Sequence, residues 1–328
     1  MKRVVFRRCG DPLEVVQVED AAEPPPPGAH EATVELEASP IHPADILSIR
    51  GLDAAPGEAL PRVPGGEAVA RVVAAGKLVR HLKPGDLTPV VIESSGAWQE
   101  RQTLPAESLI ALPPAGEIAQ YAMGILNPAA ALLLLREIVP LAMGEWVIQN
   151  AANSSVGCYL IQHARRLGIR TVNVIRRESA AALLHDLGAD VVLVDGPRLA
   201  EQVRQATGGA PMRLALDAAG GETAPRLAAC LSRGGILCNY GALSGDDPHI
   251  SPVDLLAHGT AAQGFWLRLS ASMATVAGRE KLFGELIPLV SAGALRGRVE
   301  ASYPLSRVRE ALAHAMRPGR NGKILLTR

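Results

Sequence analysis

The stretch Val147-Ile148-Gln149-Asn150-Ala151-Ala152-Asn153-Ser154-Ser155-Val156-Gly157 passes from an apolar run through small polar residues into the helical pattern of Cys158-Tyr159-Leu160-Ile161. Small side chains in a strand-to-helix turn let the backbone approach a pyrophosphate. The first N–H groups of the helix, unpaired and at the positive end of its dipole, then face the anion. The positions of a G-x-G-x-x-G fingerprint are held by Ala152, Ser154 and Gly157, so one glycine of the three is in place. Taken alone, this segment fits either a dinucleotide site or an ordinary turn of an α/β domain. The next strand pattern, Thr171–Ile175, closes on Arg176-Arg177. A carboxylate there would take the ribose 2′-hydroxyl of NAD, whereas arginine suits a 2′-phosphate, so the pair points to NADP(H). Glu178 beside it is the residue an NAD reading would use.

Such a turn needs a parallel sheet to position it, and the pattern from about Ala119 onward supplies one. Buried-strand patterns at Trp146–Asn150, Thr171–Ile175, Val191–Val194, Leu214–Asp217, Ile236–Tyr240 and Ala261–Phe265 alternate with helical patterns at Val156–Leu167, Ala180–Leu187, Leu199–Ala206 and Thr223–Ser232. That alternation predicts an α/β fold with a doubly wound parallel sheet. Tyr240-Gly241 and Ala218-Ala219-Gly220-Gly221 follow carboxyl ends of predicted strands, where ligands of open α/β sheets collect. The first third is different: short strands are expected at Val4–Phe6, Glu14–Val18, Glu31–Glu37, Glu67–Ala75, Leu87–Ile92 and Ser108–Leu112, separated by Pro/Gly turns. The proline tract at residues 24–27 reads as a stiff loop between two of these strands rather than as a polyproline ligand. After Phe265 a helix is expected near Lys281–Ala292 and another near Val308–Met316, flanked by strands at Arg298–Tyr303 and Lys323–Thr327 that return to the first domain.

Composition narrows the partners. In 328 residues, 33 basic side chains balance 33 acidic ones, which leaves no electrostatic footprint for nucleic acid or an anionic membrane. The apolar run Ala129–Leu135 is far shorter than the ~20 residues that span a bilayer. The N-terminus enters a strand pattern directly, without an apolar signal region, so a cytoplasmic protein is expected. Cys9, Cys158, Cys230 and Cys238 have no C-x-x-C spacing, which argues against structural zinc and for reduced thiols.

A β-rich domain followed by a mid-chain dinucleotide fold resembles the medium-chain dehydrogenase/reductase superfamily over nearly the whole length. The likeness is carried by residues 40–46 (PIHPADI), 64–67 (PGGE), 127–128 (NP), 147–157 (VIQNAANSSVG), 233–235 (RGG), 240–241 (YG), 264–267 (GFWL) and 322–324 (GKI). Within the superfamily it is closest to the zinc-independent branch of 2-enoyl thioester reductases and quinone oxidoreductases. The resemblance implies a GroES-like catalytic domain over residues 1–120, a Rossmann NADP-binding domain over 121–265, and a segment 266–328 that returns to the first domain. It further implies that Asn127, Asn153, Ser154, Ser155, Val156, Gly157, Arg176, Arg177, Ala218, Gly220, Tyr240, Gly241, Phe265, Trp266 and Lys323 surround the cofactor. His42, Trp98, Phe265 and Trp266 would border the acceptor, although an aromatic after a strand equally fits a core position.

Zinc-dependent relatives place a cysteine around residues 37–45 and a histidine in the glycine-rich turn before Glu67. This chain has no cysteine there and carries Gly66 at the second place, so no metal is expected. Reductases of this branch deliver hydride to the β-carbon of an activated C=C bond, and a proton must reach the α-carbon. The tyrosine proposed as proton donor in enoyl thioester reductases is absent; Arg50-Gly51-Leu52-Asp53 occupies that segment, and the family's asparagine is His42. His42 is therefore the expected donor, followed by Asp45 and Asp53. His42 as a loop residue bonded to backbone, and Asp45 as a cap for a helical turn starting at Ile46, remain open alternatives. The leading expectation is an NADPH-dependent reductase of enoyl thioesters or enones. A quinone oxidoreductase, or a cofactor-binding protein with little turnover like the crystallins recruited from this superfamily, are the alternatives. The edge at Ala261–Phe265 resembles the strand through which relatives pair, implying a homodimer.

Overall fold

A computed structural model describes residues 1–52, 59–91 and 96–328, arranged as two compact units. In chain order the first strands are β1 (Lys2–Phe6), β2 (Val16–Asp20), β3 (Glu31–Pro40), β4 (Glu67–Ala75), β5 (Leu87–Val91) and β6 (Arg101–Pro105). The middle of the chain supplies β7 (Trp146–Gln149), β8 (Arg170–Ile175), β9 (Val191–Val194), β10 (Met212–Asp217), β11 (Ile236–Asn239) and β12 (Ala261–Gly264). The last two strands are β13 (Val299–Pro304) and β14 (Lys323–Thr327). Unit 1 comprises residues 1–126 and 283–328, and unit 2 residues 127–282. The division thus lies after Leu126 and after Leu282, later than the expected limits at 120 and 265. The second limit falls inside the helix Val276–Ser291, whose continuity no composition shift betrays.

Unit 1 is built on the order β13-β14-β3-β4-β5, with β6 also on β3, plus the antiparallel ribbon β1-β2. The long β3 uses one edge twice. Its first half, Glu31–Glu35, pairs with β6, and its last residues, Ala38–Pro40, pair with β14. Apolar side chains from these strands and from the helix Val308–Met316 form one core containing Phe6, Ile49, Trp98, Leu312 and Ile324. The strand expected at Ser108–Leu112 is irregular, and the pairing segment lies upstream at Arg101–Pro105, a polar half-buried run that apolar periodicity does not reveal. Glu14–Val18 begins as a helical turn, Pro12–Val15, capped by Asp11, whose carboxylate accepts from Leu13 N, with the strand starting at Val16.

Unit 2 is a six-stranded, wholly parallel sheet in the order β12-β11-β10-β7-β8-β9. The six strand expectations for this unit hold to within two residues at each end. Val172 and Val174 pack with Leu199, Val203 and Leu227, while Ile175 packs with Ile161 and Leu184. Alternate residues of one strand therefore meet different helices, as a sheet buried on both faces requires. The strand order reverses between β7 and β10, which is where an open sheet of this kind opens a crevice at its carboxyl edge.

Candidate active site

At the carboxyl edge of β7 the chain turns through Asn150 and Ala151, whose φ of +45° is the only left-handed non-glycine value among the described residues. Ser154 caps the helix Ser155–Leu167, its Oγ accepting from Gly157 N at 3.2 Å. Gly157 sits so close to the turn after β7 that a Cβ would lie 2.5 Å from Ala152 O, which accounts for the one glycine retained from the fingerprint. Gln149, fully buried, donates from Nε2 to Asn173 Oδ1 at 2.8 Å and to Gly157 O at 3.1 Å, tying strand, neighbour and helix together. Asn153, Ser154, Ser155 and Val156 stay partly accessible around this turn.

The crevice is organised by a carboxylate that sequence reasoning passed over. Asp217, the last residue of β10, is wholly buried. Its Oδ1 accepts from Asn150 Nδ2 (2.5 Å), Gly220 N (2.9 Å) and Ala219 N (3.0 Å), and its Oδ2 from Asn239 Nδ2 (2.9 Å). Asn150 Oδ1 in turn accepts from Ala218 N at 2.7 Å, and Asn239 Nδ2 donates to Gly241 O at 3.0 Å. One charge thus fixes the turns after β7, β10 and β11, including the expected Ala218, Gly220 and Gly241. Gly220, at φ +74°, would press a Cβ to within 2.6 Å of Asp246 O. Burial pushes the Tyr240 phenol well above its ordinary value, with Asp217 adding to the shift, so Tyr240 stays protonated. The signal that could have found this network is the polar residue closing each apolar strand: Asn150, Asp217 and Asn239.

Arg176 and Arg177 are exposed beyond β8, and neither guanidinium has a hydrogen-bond or ion-pair partner among the described residues. Asn127 is buried with its Nδ2 lacking a hydrogen-bond partner, a donor left for something outside the chain. Phe265 is half-buried after β12, and Trp266 is 43% exposed.

Unit 1 holds a second polar centre. β3 ends at Pro40, and Ile41 N donates to Ile324 O at 2.9 Å, so His42 lies beside Lys323, the first residue of β14. Pairing of β3 with β4 brings Glu67, the first residue of β4, to the same place. His42 Nε2 lies 2.8 Å from Glu67 Oε2, and Lys323 Nζ lies 3.1 Å from both His42 Nδ1 and Ile41 O. A charged ammonium only donates, so Nδ1 accepts and Nε2–H donates to the carboxylate. The other Glu67 oxygen accepts from Ile125 N (3.0 Å) and Leu126 N (2.8 Å). Burial lowers Lys323 to about 8, against the opposing pull of Asp45 and Glu67.

Several expectations are corrected here. His42 has both ring nitrogens engaged inside the protein, so it presents no proton to an acceptor. Asp45 does not precede the helix; it occupies the third position of the helix Pro43–Arg50, where Oδ2 accepts from His42 N (2.7 Å) and Oδ1 from Gly66 N (3.0 Å). Burial raises its pKa, and its role is to fasten the turn rather than to exchange protons. The Lys323 ammonium places two of its three N–H groups on Ile41 O and His42 Nδ1. Trp98 has no exposed surface and donates from Nε1 to Ser39 Oγ at 3.1 Å, so it belongs to the core and not to a pocket wall. Asp53 lies outside the described residues. Among those residues no group of three or more His, Cys, Asp or Glu is placed to hold a metal ion.

Family models for the alcohol dehydrogenase GroES-like domain and for zinc-binding dehydrogenase match residues 28–123 and 155–279. The chain is 32% identical to human mitochondrial enoyl-[acyl-carrier-protein] reductase across 333 aligned residues, covering 100% of this chain and 88% of that protein. It belongs to the medium-chain dehydrogenase/reductase superfamily. Among solved members, Escherichia coli quinone oxidoreductase complexed with NADPH superposes on this medium-chain reductase homologue with a TM-score of 0.89 at 26% identity, covering 100% of both chains. A mutant form of Candida tropicalis enoyl thioester reductase reaches 0.87 at 22% identity over 100% of this chain and 99% of that one, a likeness of fold. The β-rich unit 1 and parallel-sheet unit 2 are thus the two characteristic parts of a medium-chain dehydrogenase/reductase.

Proposed function

We propose that this protein is an NADPH-dependent, zinc-independent reductase of activated C=C bonds in enoyl thioesters or enones. The observation that carries the reading is the pair of free arginines at the end of β8, next to a glycine-tight turn at the strand-order reversal. The residues fit the dinucleotide: a cradle closed against any Cβ at Gly157, an orphan donor at Asn127, and two unpaired cations where a 2′-phosphate would sit. NADPH, when bound, supplies the hydride that reaches the β-carbon of the acceptor. Arg176 and Arg177 bind the 2′-phosphate, and the first N–H groups of the helix Ser155–Leu167 take the pyrophosphate. Asp217 holds the surrounding loops in place. Phe265 and Trp266 border the acceptor.

The proton for the α-carbon comes from water. In unit 1 His42 Nε2 faces Glu67, and Lys323 Nζ holds Nδ1. The same engagement of His42 favours a second reading, quinone reduction, in which the one proton that accompanies the hydride comes from solvent. A screen of NADPH oxidation against crotonyl thioesters, enones and quinones separates the two: turnover confined to quinones overturns the first. NADPH binding with no acceptor turned over overturns both and leaves a cofactor-binding protein.

Substituting both arginines, Arg176→Ala with Arg177→Ala, is expected to raise the Kd for NADPH by about 30-fold or more while leaving NADH within about twofold. Equal losses for the two nucleotides in fluorescence titrations would remove the 2′-phosphate assignment.

We also infer a homodimer formed through β12. Its four residues are exposed, and Leu256 (86%) and Leu269 (85%) project from the flanking segments, an apolar edge that a partner strand would cover. Native mass spectrometry showing only monomer at micromolar concentration contradicts this. A cytoplasmic location is part of the same reading, supported by four free cysteines, which suit a reducing compartment; no helix among the described residues is long and apolar enough to cross a membrane.

A further inference from the structure

Asp195 is the first residue beyond β9. Strands β8 and β9 run parallel with Ile175 opposite Val194, and Asp195 N donates to Ile175 O at 2.8 Å. Asp195 therefore stands alongside Arg176, the first residue beyond β8. A carboxylate at this edge has the chemistry that takes a ribose 2′-hydroxyl and repels a 2′-phosphate. Here both of its oxygens are occupied. Arg226 grips it as a fork, Nε to Oδ1 at 2.7 Å and Nη2 to Oδ2 at 2.8 Å, and Thr223 Oγ1 adds a bond to Oδ2 at 3.0 Å. The Asp195 side chain is only 12% exposed, and the third Arg226 nitrogen faces Glu222 Oε2 at 3.9 Å. The guanidinium groups of Arg176 and Arg177, one strand away, are left without partners among the described residues.

We propose that Arg226 is a specificity-determining residue for the dinucleotide: by holding Asp195 in a bidentate pair, it keeps that carboxylate from binding Arg176 and Arg177 and leaves them to a phosphate monoester. The inference rests on the NADPH reading above. Arg226 acts through Asp195 and touches no ligand. The Asp195–Arg226 pair is electrically neutral as seen from the turn; release of Asp195 restores a negative charge beside two cations whose task is to bind an anion.

The test is a set of fluorescence titrations with NADPH and NADH on the full-length protein, wild type, Arg226→Met, Asp195→Ala and the double variant. In Arg226→Met the ratio of the two affinities falls about tenfold toward NADH. In the double variant the ratio returns to the wild-type value, because the freed carboxylate is gone. Asp195→Ala alone keeps the preference. Arg226→Lys, which preserves a charge but not the fork, gives a partial fall and serves if Arg226→Met fails to fold. Equal weakening of both nucleotides, or a double variant that stays impaired, assigns Arg226 a purely structural role and overturns the inference. A wild-type preference for NADPH that persists in Arg226→Met overturns the inference alone. A wild-type protein with no such preference overturns the cofactor reading as well.

Discussion

Glu67→Ala is expected to lower the stability of unit 1 by about 3–5 kcal/mol, since each buried donor left without its acceptor costs on the order of 1–3 kcal/mol. Glu67 is wholly buried and receives His42 Nε2–H and the N–H groups of Ile125 and Leu126. Its loss strands these three donors and leaves Lys323 with Asp45 as the remaining carboxylate acting on it. Trp98, the tryptophan of unit 1, reports the change in urea unfolding once Trp146 and Trp266 are replaced by Phe. Glu67→Gln keeps an acceptor for the two backbone N–H groups and loses less than half as much. The variant has a diagnostic pH response. Lys323 is lowered from its ordinary 10.5 to about 8, so above pH 8 the folded chain sheds a proton that the unfolded chain keeps until near 10.5. The unfolded state then binds more protons, and stability rises with pH across that window. With Glu67 gone the effect grows, since an ammonium with less compensation is being discharged. A stability loss below ~1 kcal/mol, or one that deepens between pH 8 and 10, contradicts the assigned hydrogen bonds.

Asp217→Ala is expected to be the most damaging single change to cofactor binding outside the binding residues themselves. It withdraws the acceptor from Asn150 Nδ2, Asn239 Nδ2, Ala219 N and Gly220 N together, a loss on the order of 4 kcal/mol in unit 2 if the donors find no substitute. The three loops it secures then move independently, and NADPH affinity falls by about tenfold or more, with NADH affected equally because no 2′-phosphate contact is involved. Asp217→Asn retains one acceptor oxygen and recovers part of both. Unchanged Kd values in Asp217→Ala, with the stability loss present, would show that the loops hold their places without it.

The parts legible in the sequence are those governed by local rules. The parallel strands of unit 2 are short apolar runs bounded by turn residues, and Ser154 and Gly157 carry the helix start in their own chemistry. Arg176 and Arg177 stand out because they are adjacent and directly follow the apolar strand pattern Thr171–Ile175. What escaped depends on partners distant in sequence. Whether His42 can give up a proton is decided by Glu67, 25 residues away, and Lys323, 281 away. Arg101–Pro105 becomes a strand because β3 offers it an edge, not because of its own pattern. Trp98, expected to border the acceptor, is placed in the core by residues far along the chain, its indole N–H bonded to Ser39.

The double use of β3 has a consequence for synthesis on the ribosome. The strand β14 that completes β3, and with it Lys323, is translated only after the whole of unit 2 has emerged, whereas unit 2 is one uninterrupted stretch of chain. Unit 2 is therefore free to fold first, while His42 and Glu67 wait with a carboxylate and an imidazole on an unclosed sheet edge. Nascent chains halted before Lys323 would present that edge to chaperones and proteases, and the arrival of a single lysine marks the point at which the exposed state ends.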